Sequence, residues 1–159
     1  MTVTFLLNGR QVSLEAPPSK RLVDVLREDF QLKWNRPGCY AGVCGTCAVL
    51  LNGELAYSCM VPAFAVQDMD VITYEGLEGT QELQDIQSGF EAAGYRPCAN
   101  CRQRQLLTAY ALLVSYTVPE REEIDMFFSN RQCGCTSMSE LYKAIEYAIN
   151  IRRSARHGR

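Results

Sequence analysis

The sequence predicts an α+β chain of two small domains, a mixed sheet crossed by one helix and then a helical bundle. Three observations carry this. The chain has 159 residues, enough for one medium domain or two small ones. Apolar alternation with a period of two dominates the first half and gives way to a 3.6-residue period beyond Gly76 and Gly79. The eight cysteines fall in two groups, Cys39, Cys44, Cys47 and Cys59 in the first half and Cys98, Cys101, Cys133 and Cys135 in the second. The expected division is 1–76, 77–151 and a basic C-terminal tail, 152–159.

Thr2–Leu7 and Gln11–Glu15 alternate polar and apolar residues and are joined by Asn8-Gly9, a dipeptide favoured in two-residue hairpin turns. After the Pro17-Pro18 break, Ser19 can cap a helix over Lys20–Asp29 that buries Leu22, Val23, Val25 and Leu26. A loop rich in Cys and Gly spans Arg36–Thr46. Ala48–Leu51 then returns as a strand, Asn52-Gly53 turns it, Glu54–Tyr57 pairs back, and Asp70–Thr73 closes the sheet. In the second half Gln81–Ala93, Arg102–Tyr116, Arg121–Phe128 and Ser139–Asn150 each place apolar residues on one helical face. Each half is near the lower size limit for an independent core, so a metal centre in each would add stability where burial is thin.

Composition narrows the function. Lys and Arg number 16 against 18 Asp and Glu, a formal net charge of −2, whereas an autonomous nucleic-acid binder needs a clustered excess of cations. Only Arg152 to Arg159 is locally basic. No apolar run is long enough to span a bilayer, and the opening MTVTFLLNGR is too short and too soon interrupted for a signal peptide, so a cytoplasmic protein is expected. In that reducing compartment, clustered cysteines point to metal and not to disulfides.

Cys39-x4-Cys44-x2-Cys47, followed by Cys59, matches the plant-type ferredoxin spacing. Three thiolates must converge on one inorganic core from a single loop. Gly38, Gly42 and Gly45 relieve backbone crowding there and allow positive φ, and backbone N–H groups of such a loop can point at the sulfurs. Zinc also takes four cysteines, but usually from two short paired knuckles. Cys98-x2-Cys101 and Cys133-x-Cys135 are two close pairs which, taken alone, suit zinc or iron–sulfur. Cys101 precedes one predicted helix, and Cys135 precedes another whose start, Ser137 to Glu140, has capping-box spacing. Both pairs thus lie at helix N-termini, where the dipole and free N–H groups favour thiolate and an anionic cluster.

With both quartets in place, the whole chain resembles the small iron–sulfur subunit of the molybdenum hydroxylases, the family of xanthine dehydrogenase, aldehyde oxidase and carbon monoxide dehydrogenase. The stretch Gly38-Cys39-Tyr40-Ala41-Gly42-Val43-Cys44-Gly45-Thr46-Cys47, with Asn52-Gly53 and Ser58-Cys59, carries the resemblance. It implies a β-grasp plant-type ferredoxin-like domain followed by a small four-helix-bundle domain. Each would hold one [2Fe-2S] cluster on its four cysteines. It also implies a complex with an FAD-binding subunit and a large molybdopterin subunit, those cofactors being held by the partners. The helical-domain cluster would lie next to the molybdopterin and the other nearer the flavin, so that electrons pass from molybdenum to flavin.

The second motif departs from that family. Its members carry Gln-Cys-Gly-Phe-Cys-Thr-Pro-Gly, where this chain has Pro97-Cys98-Ala99-Asn100-Cys101-Arg102-Gln103-Arg104. The family's Asn-x-Cys-Arg-Cys-Thr-Gly-Tyr is replaced by Asn130-Arg131-Gln132-Cys133-Gly134-Cys135-Thr136-Ser137. All four ligand positions survive. The family's glutamine before the first cysteine contacts the pterin, and Pro97 has no side-chain amide to take its place. A backbone contact from the Cys135 region to the pterin need not depend on side-chain identity. Arg96, Arg102, Arg104 and Arg131 crowd this site, either as solvated or salt-bridged cations or as charges near an anionic cluster that raise its potential.

Three readings follow: a divergent molybdenum hydroxylase, a carrier for a differently built dehydrogenase without molybdenum, or a drifting paralogue. A zinc-stabilised interaction module is the rival from another class. No catalytic residue is expected. The single histidine, His157, lies in the Arg-rich tail, expected to fray, and the carboxylates are scattered over helix faces. Trp34 and Arg36 read as packing and turn residues. The expected mechanism is a one-electron relay, with the chemistry on organic substrate left to the partner.

Overall fold

The computed structural model describes residues 1–129 and 133–158. Asn130, Arg131, Gln132 and Arg159, named above, lie outside them. The chain divides into two compact units, Met1–Glu78 and Gly79–Arg159.

In the first unit, Asn8 and Gly9 take φ of +51° and +81°, the left-handed pair that a two-residue hairpin turn requires. They set β1 (Thr2–Leu7) antiparallel to β2 (Arg10–Glu15) with Leu7 opposite Arg10. Asn52 and Gly53 do the same between β3 (Ala48–Leu51) and β4 (Glu54–Tyr57). β5 (Asp70–Ile72) lies centrally, parallel to β1 and antiparallel to β3, giving the order β2-β1-β5-β3-β4. Alternation along β1 sends Val3, Phe5 and Leu7 inward, where they join Val49, Val71, Leu22, Val25 and Leu26 in one core. Each such side chain removed from water contributes about 1.5–3 kcal/mol.

The helix across this sheet starts later than expected. Lys20 N–H bonds Pro17 O, Leu22 N–H bonds Val61 O, and Ala63 N–H bonds Lys20 O. Residues 20–22 therefore pair with the segment after β4, and α1 (Leu22–Asp24) has Arg21, not Ser19, at its N-cap. It continues as a wider π-helical turn, Val25–Asp29, closed by Phe30 N–H on Val25 O. The Phe30 ring then meets Phe5 edge-on, centroids 6.0 Å apart. A single turn, α2 (Tyr74–Leu77), ends the unit.

The second unit holds α3 (Gln81–Ala92), α4 (Arg102–Ser115), α5 (Arg121–Phe128) and α6 (Met138–His157). Their starts are capped locally. Thr80 accepts from Leu83 N–H, and reciprocal capping boxes join Glu120 with Glu123 and Ser137 with Glu140. α3 and α6 cross closely at Gly89, where a Cβ would come within 2.5 Å of the Ala148 nitrogen. α6 does not stop at Asn150 and fray: Arg152, Arg153 and Arg156 suit the negative end of a helix, and Arg152 donates to Leu113 O at 3.3 Å. Residues 152–157 of the expected tail are thus helical. Among the described residues, no helix is long and apolar enough to cross a membrane.

Candidate metal centres

The loop carrying the first cysteines is bent by successive left-handed residues, Tyr40 at +54°, Gly42 at +70° and Gly45 at +69°. Gly38 serves differently: a Cβ there would stand 3.0 Å from Cys44 Sγ. The bend turns amides inward. Ala41 and Val43 N–H donate to Cys39 Sγ at 3.3 Å and Cys44 N–H at 3.4 Å. The Cys44, Ala41 and Val43 amides hold the Cys39 thiol down to about 6 although it is exposed. The Tyr40 carbonyl receives Arg21 Nη1 at 3.1 Å and its hydroxyl donates to Asp24 at 3.0 Å, fastening the loop to the helix.

Cys47 and Cys59 sit deeper, buried beside Val23 and Tyr57. Burial pushes the Cys47 thiol up to about 11. A polar clamp outside the sequence expectations holds them. The Ser58 hydroxyl lies 2.7 Å from Asn35 Oδ1 and 2.8 Å from Cys47 O, and Asn35 Nδ2 donates to Cys47 O at 3.3 Å. Both side chains are buried. Of this clamp only Ser58 had a signal, its place beside Cys59; Asn35 had none. The neighbouring Trp34 packs edge-on against Tyr74 and under the Arg36 guanidinium, the packing role expected.

The quartet falls into two parts: Cys39 and Cys44 share the loop, with Cys39 Sγ accepting from Cys44 N–H, and Cys47 and Cys59 pack in one buried cluster. Two pairs suit a two-iron core that takes four cysteines, and an amide-lined loop suits its negative charge.

In the second unit the Sγ atoms of Cys98, Cys101 and Cys133 lie within 4.8 Å of one another. Cys101 and Arg102 N–H both bond Cys98 O at 2.9 Å, a turn that leads into α4 with Cys101 at its N-cap. Thr136 N–H bonds Cys133 O at 3.1 Å and shapes the approach to α6. Burial opposes charge on Cys133, but the Cys98 and Cys135 amides outweigh it and bring the thiol down to about 6. Burial pushes Cys101 up to about 12, and its hydrogen bond to Cys133 raises the exposed Cys135. The set favours negative charge on Cys133, whose sulfur lies within 4.8 Å of those of Cys98 and Cys101.

The expected cations separate. Arg96 and Arg102 are exposed and, with Phe90, Tyr95, Pro97 and Leu106, line a cavity of about 400 Å³. Arg104 is only 6% exposed, with Nη2 3.5 Å from Cys101 Sγ. His157 stands on the last turn of α6 with Nδ1 2.8 Å from Arg153 O.

Two units, each with its own cysteine quartet, suit an iron–sulfur protein of two domains. Residues 5–72 match the family described as "2Fe-2S iron-sulfur cluster binding domain" and residues 73–146 that described as "[2Fe-2S] binding domain". The nicotinate dehydrogenase small FeS subunit of Eubacterium barkeri is 36% identical over 94% of this chain and 95% of its own. Isoquinoline 1-oxidoreductase subunit alpha of Brevundimonas diminuta is 34% identical over 93% and 95%. Among solved structures, quinoline 2-oxidoreductase from Pseudomonas putida superposes with a TM-score of 0.82 at 30% identity, covering 96% of each chain. The aldehyde oxidoreductase from Desulfovibrio desulfuricans gives 0.85 at 31%, covering 96% of this chain and 17% of that one. The chain belongs to the small iron–sulfur subunits of the molybdenum hydroxylase family.

Proposed function

We propose that this chain relays single electrons between a molybdopterin subunit and an FAD-binding subunit of a cytoplasmic molybdenum hydroxylase, through two [2Fe-2S] clusters. Cys39, Cys44, Cys47 and Cys59 would hold one within residues 1–76. Cys98, Cys101, Cys133 and Cys135 would hold the other within residues 77–151. What supports this is the placement of each quartet within one unit, with the Sγ atoms of Cys98, Cys101 and Cys133 within 4.8 Å of one another and backbone amides aimed at Cys39 and Cys133. When bound, such clusters supply reversible one-electron uptake.

The chain's own residues supply the setting. The Ala41, Val43 and Cys44 amides stabilise thiolate without bringing in a mobile cation, Asn35 and Ser58 fix Cys47 against Cys59, and the Cys98 and Cys135 amides favour negative charge at Cys133. Pro97 leaves any pterin contact to the backbone near Cys135. FAD and molybdopterin stay with the partners, as does all chemistry on substrate.

The test is anaerobic purification of the complex from its source cell, with iron, acid-labile sulfide, flavin and molybdenum measured and EPR spectra recorded after reduction. Four irons and four sulfides per chain, two rhombic signals, and co-purifying flavin and molybdenum are expected, about twice the iron that one such cluster would bring. Zinc in place of iron would sink the relay. Two clusters without molybdenum would move the chain to another dehydrogenase.

A further inference from the structure

We propose that Arg104 sets the reduction potential of the second centre by donating from its guanidinium to the Cys101 sulfur; this rests on the reading of Cys98, Cys101, Cys133 and Cys135 as cluster ligands. Arg104 lies three residues past Cys101 in the first turn of α4. Helical side chains lean toward the N-terminus, so one at this spacing reaches back over the cysteine that opens the helix. Nη2 stands 3.5 Å from Cys101 Sγ, with the residue 6% exposed. A guanidinium withdrawn from water to this extent is costly unless negative charge faces it, and here the facing group is the Cys101 sulfur, which carries that charge once it ligates a cluster. The backbone at this point is also held, since Thr108 Oγ1 donates to Arg104 O at 2.7 Å. The motif that this stretch resembles carries glycine at the position, so the cation is a feature of this chain.

Reduction adds one electron and one negative charge to the centre. No bond breaks and no proton moves, because arginine keeps its charge throughout. A fixed cation bonded to a ligand sulfur stabilises the reduced form more than the oxidised one and raises the potential. Arg102, exposed to solvent, is screened and contributes much less.

The experiment is an EPR-monitored potentiometric titration of the full chain, using dithionite as reductant with mediators, on wild type, R104Q, R104K and R102Q. The second centre's signal is identified by its loss in Cys133→Ala. In R104Q its one-electron reduction equilibrium should become about tenfold or more less favourable, a shift of about 59 mV downward. R104K should fall between R104Q and wild type, and R102Q and the first centre should stay in place. An unmoved second centre in R104Q and R104K at wild-type iron content overturns the proposal, as does an equal shift in R102Q. If R104Q fails to take up iron, R104K decides; loss of iron from both counts against the proposal, since tuning a potential does not require it for assembly. A wild-type chain with iron only at the first centre overturns the ligand reading and this proposal with it, an outcome distinct from an unmoved potential.

Discussion

The Tyr95 hydroxyl donates to Gln105 Oε1 at 3.1 Å, with both side chains buried. Thr136 Oγ1 reaches the same phenol oxygen at 3.4 Å, and the ring meets Phe90 edge-on with centroids 4.9 Å apart. One phenol thus joins the segment before Cys98, the interior of α4 beyond Cys101, and the residue after Cys135. Tyr95→Phe keeps the ring and removes the hydroxyl. It should cost about 1 kcal/mol, the net worth of one buried neutral hydrogen bond, seen as a lower midpoint in chemical denaturation of the second unit.

Gly89 tests the crossing of α3 and α6. An added methyl would meet the Ala148 backbone, which is unable to rotate away as a side-chain tip can. Gly89→Ala gains helix propensity yet should lose about 1–3 kcal/mol by overpacking. Thermal unfolding by circular dichroism at 222 nm would show it. A stabilised Gly89→Ala would mean that the two helices do not approach this closely.

Ser58→Ala removes the centre of the clamp on Cys47. Asn35 Oδ1 loses its 2.7 Å donor inside the protein, and the expected cost is about 1–3 kcal/mol. Cys47 should then label faster with a maleimide in the iron-free chain, read by mass spectrometry of the labelled peptide.

The α6 capping box gives a pH dependence. The Ser137 amide, at 2.8 Å from Glu140 Oε2, and then the Ser137 hydroxyl hold the Glu140 carboxyl below its ordinary 4.5. A depressed carboxyl contributes stability that is fully present above the unfolded value and lost as pH falls through the folded one. Wild type should therefore melt above Glu140→Gln at pH 7, with the gap closing as pH is lowered below about 4. A gap that persists in acid would show that the carboxylate is not its source.

Much of this architecture is readable from local signals. Asn8-Gly9 and Asn52-Gly53 mark their hairpins because only the left-handed conformation closes such turns, and the starts at Gln81, Arg102 and Arg121 follow from periodicity and breaks. The delayed start of α1 is not local: pairing with Val61 and Ala63 overrides the cap that Ser19 offers. The left-handed Tyr40 has no sequence signal either, because Arg21 and Asp24 hold it from another element. At the sites, the grouping of the cysteines was legible from spacing. The inward turn of Arg104 and the Asn35–Ser58 clamp were not, since nothing in a linear sequence separates a buried polar residue from a solvated one.

The central place of β5 governs the order in which the first unit can be made. Its parallel partner, β1, lies at the other end of the unit, so the sheet is not complete until residues 70–72 have been synthesised. Such distant pairings make folding slow, because the loop must close before its contacts repay the lost entropy. By then Cys39, Cys44, Cys47 and Cys59 have all been synthesised. The thiols of this quartet therefore exist in an open, unfinished chain before the sheet can close beside them.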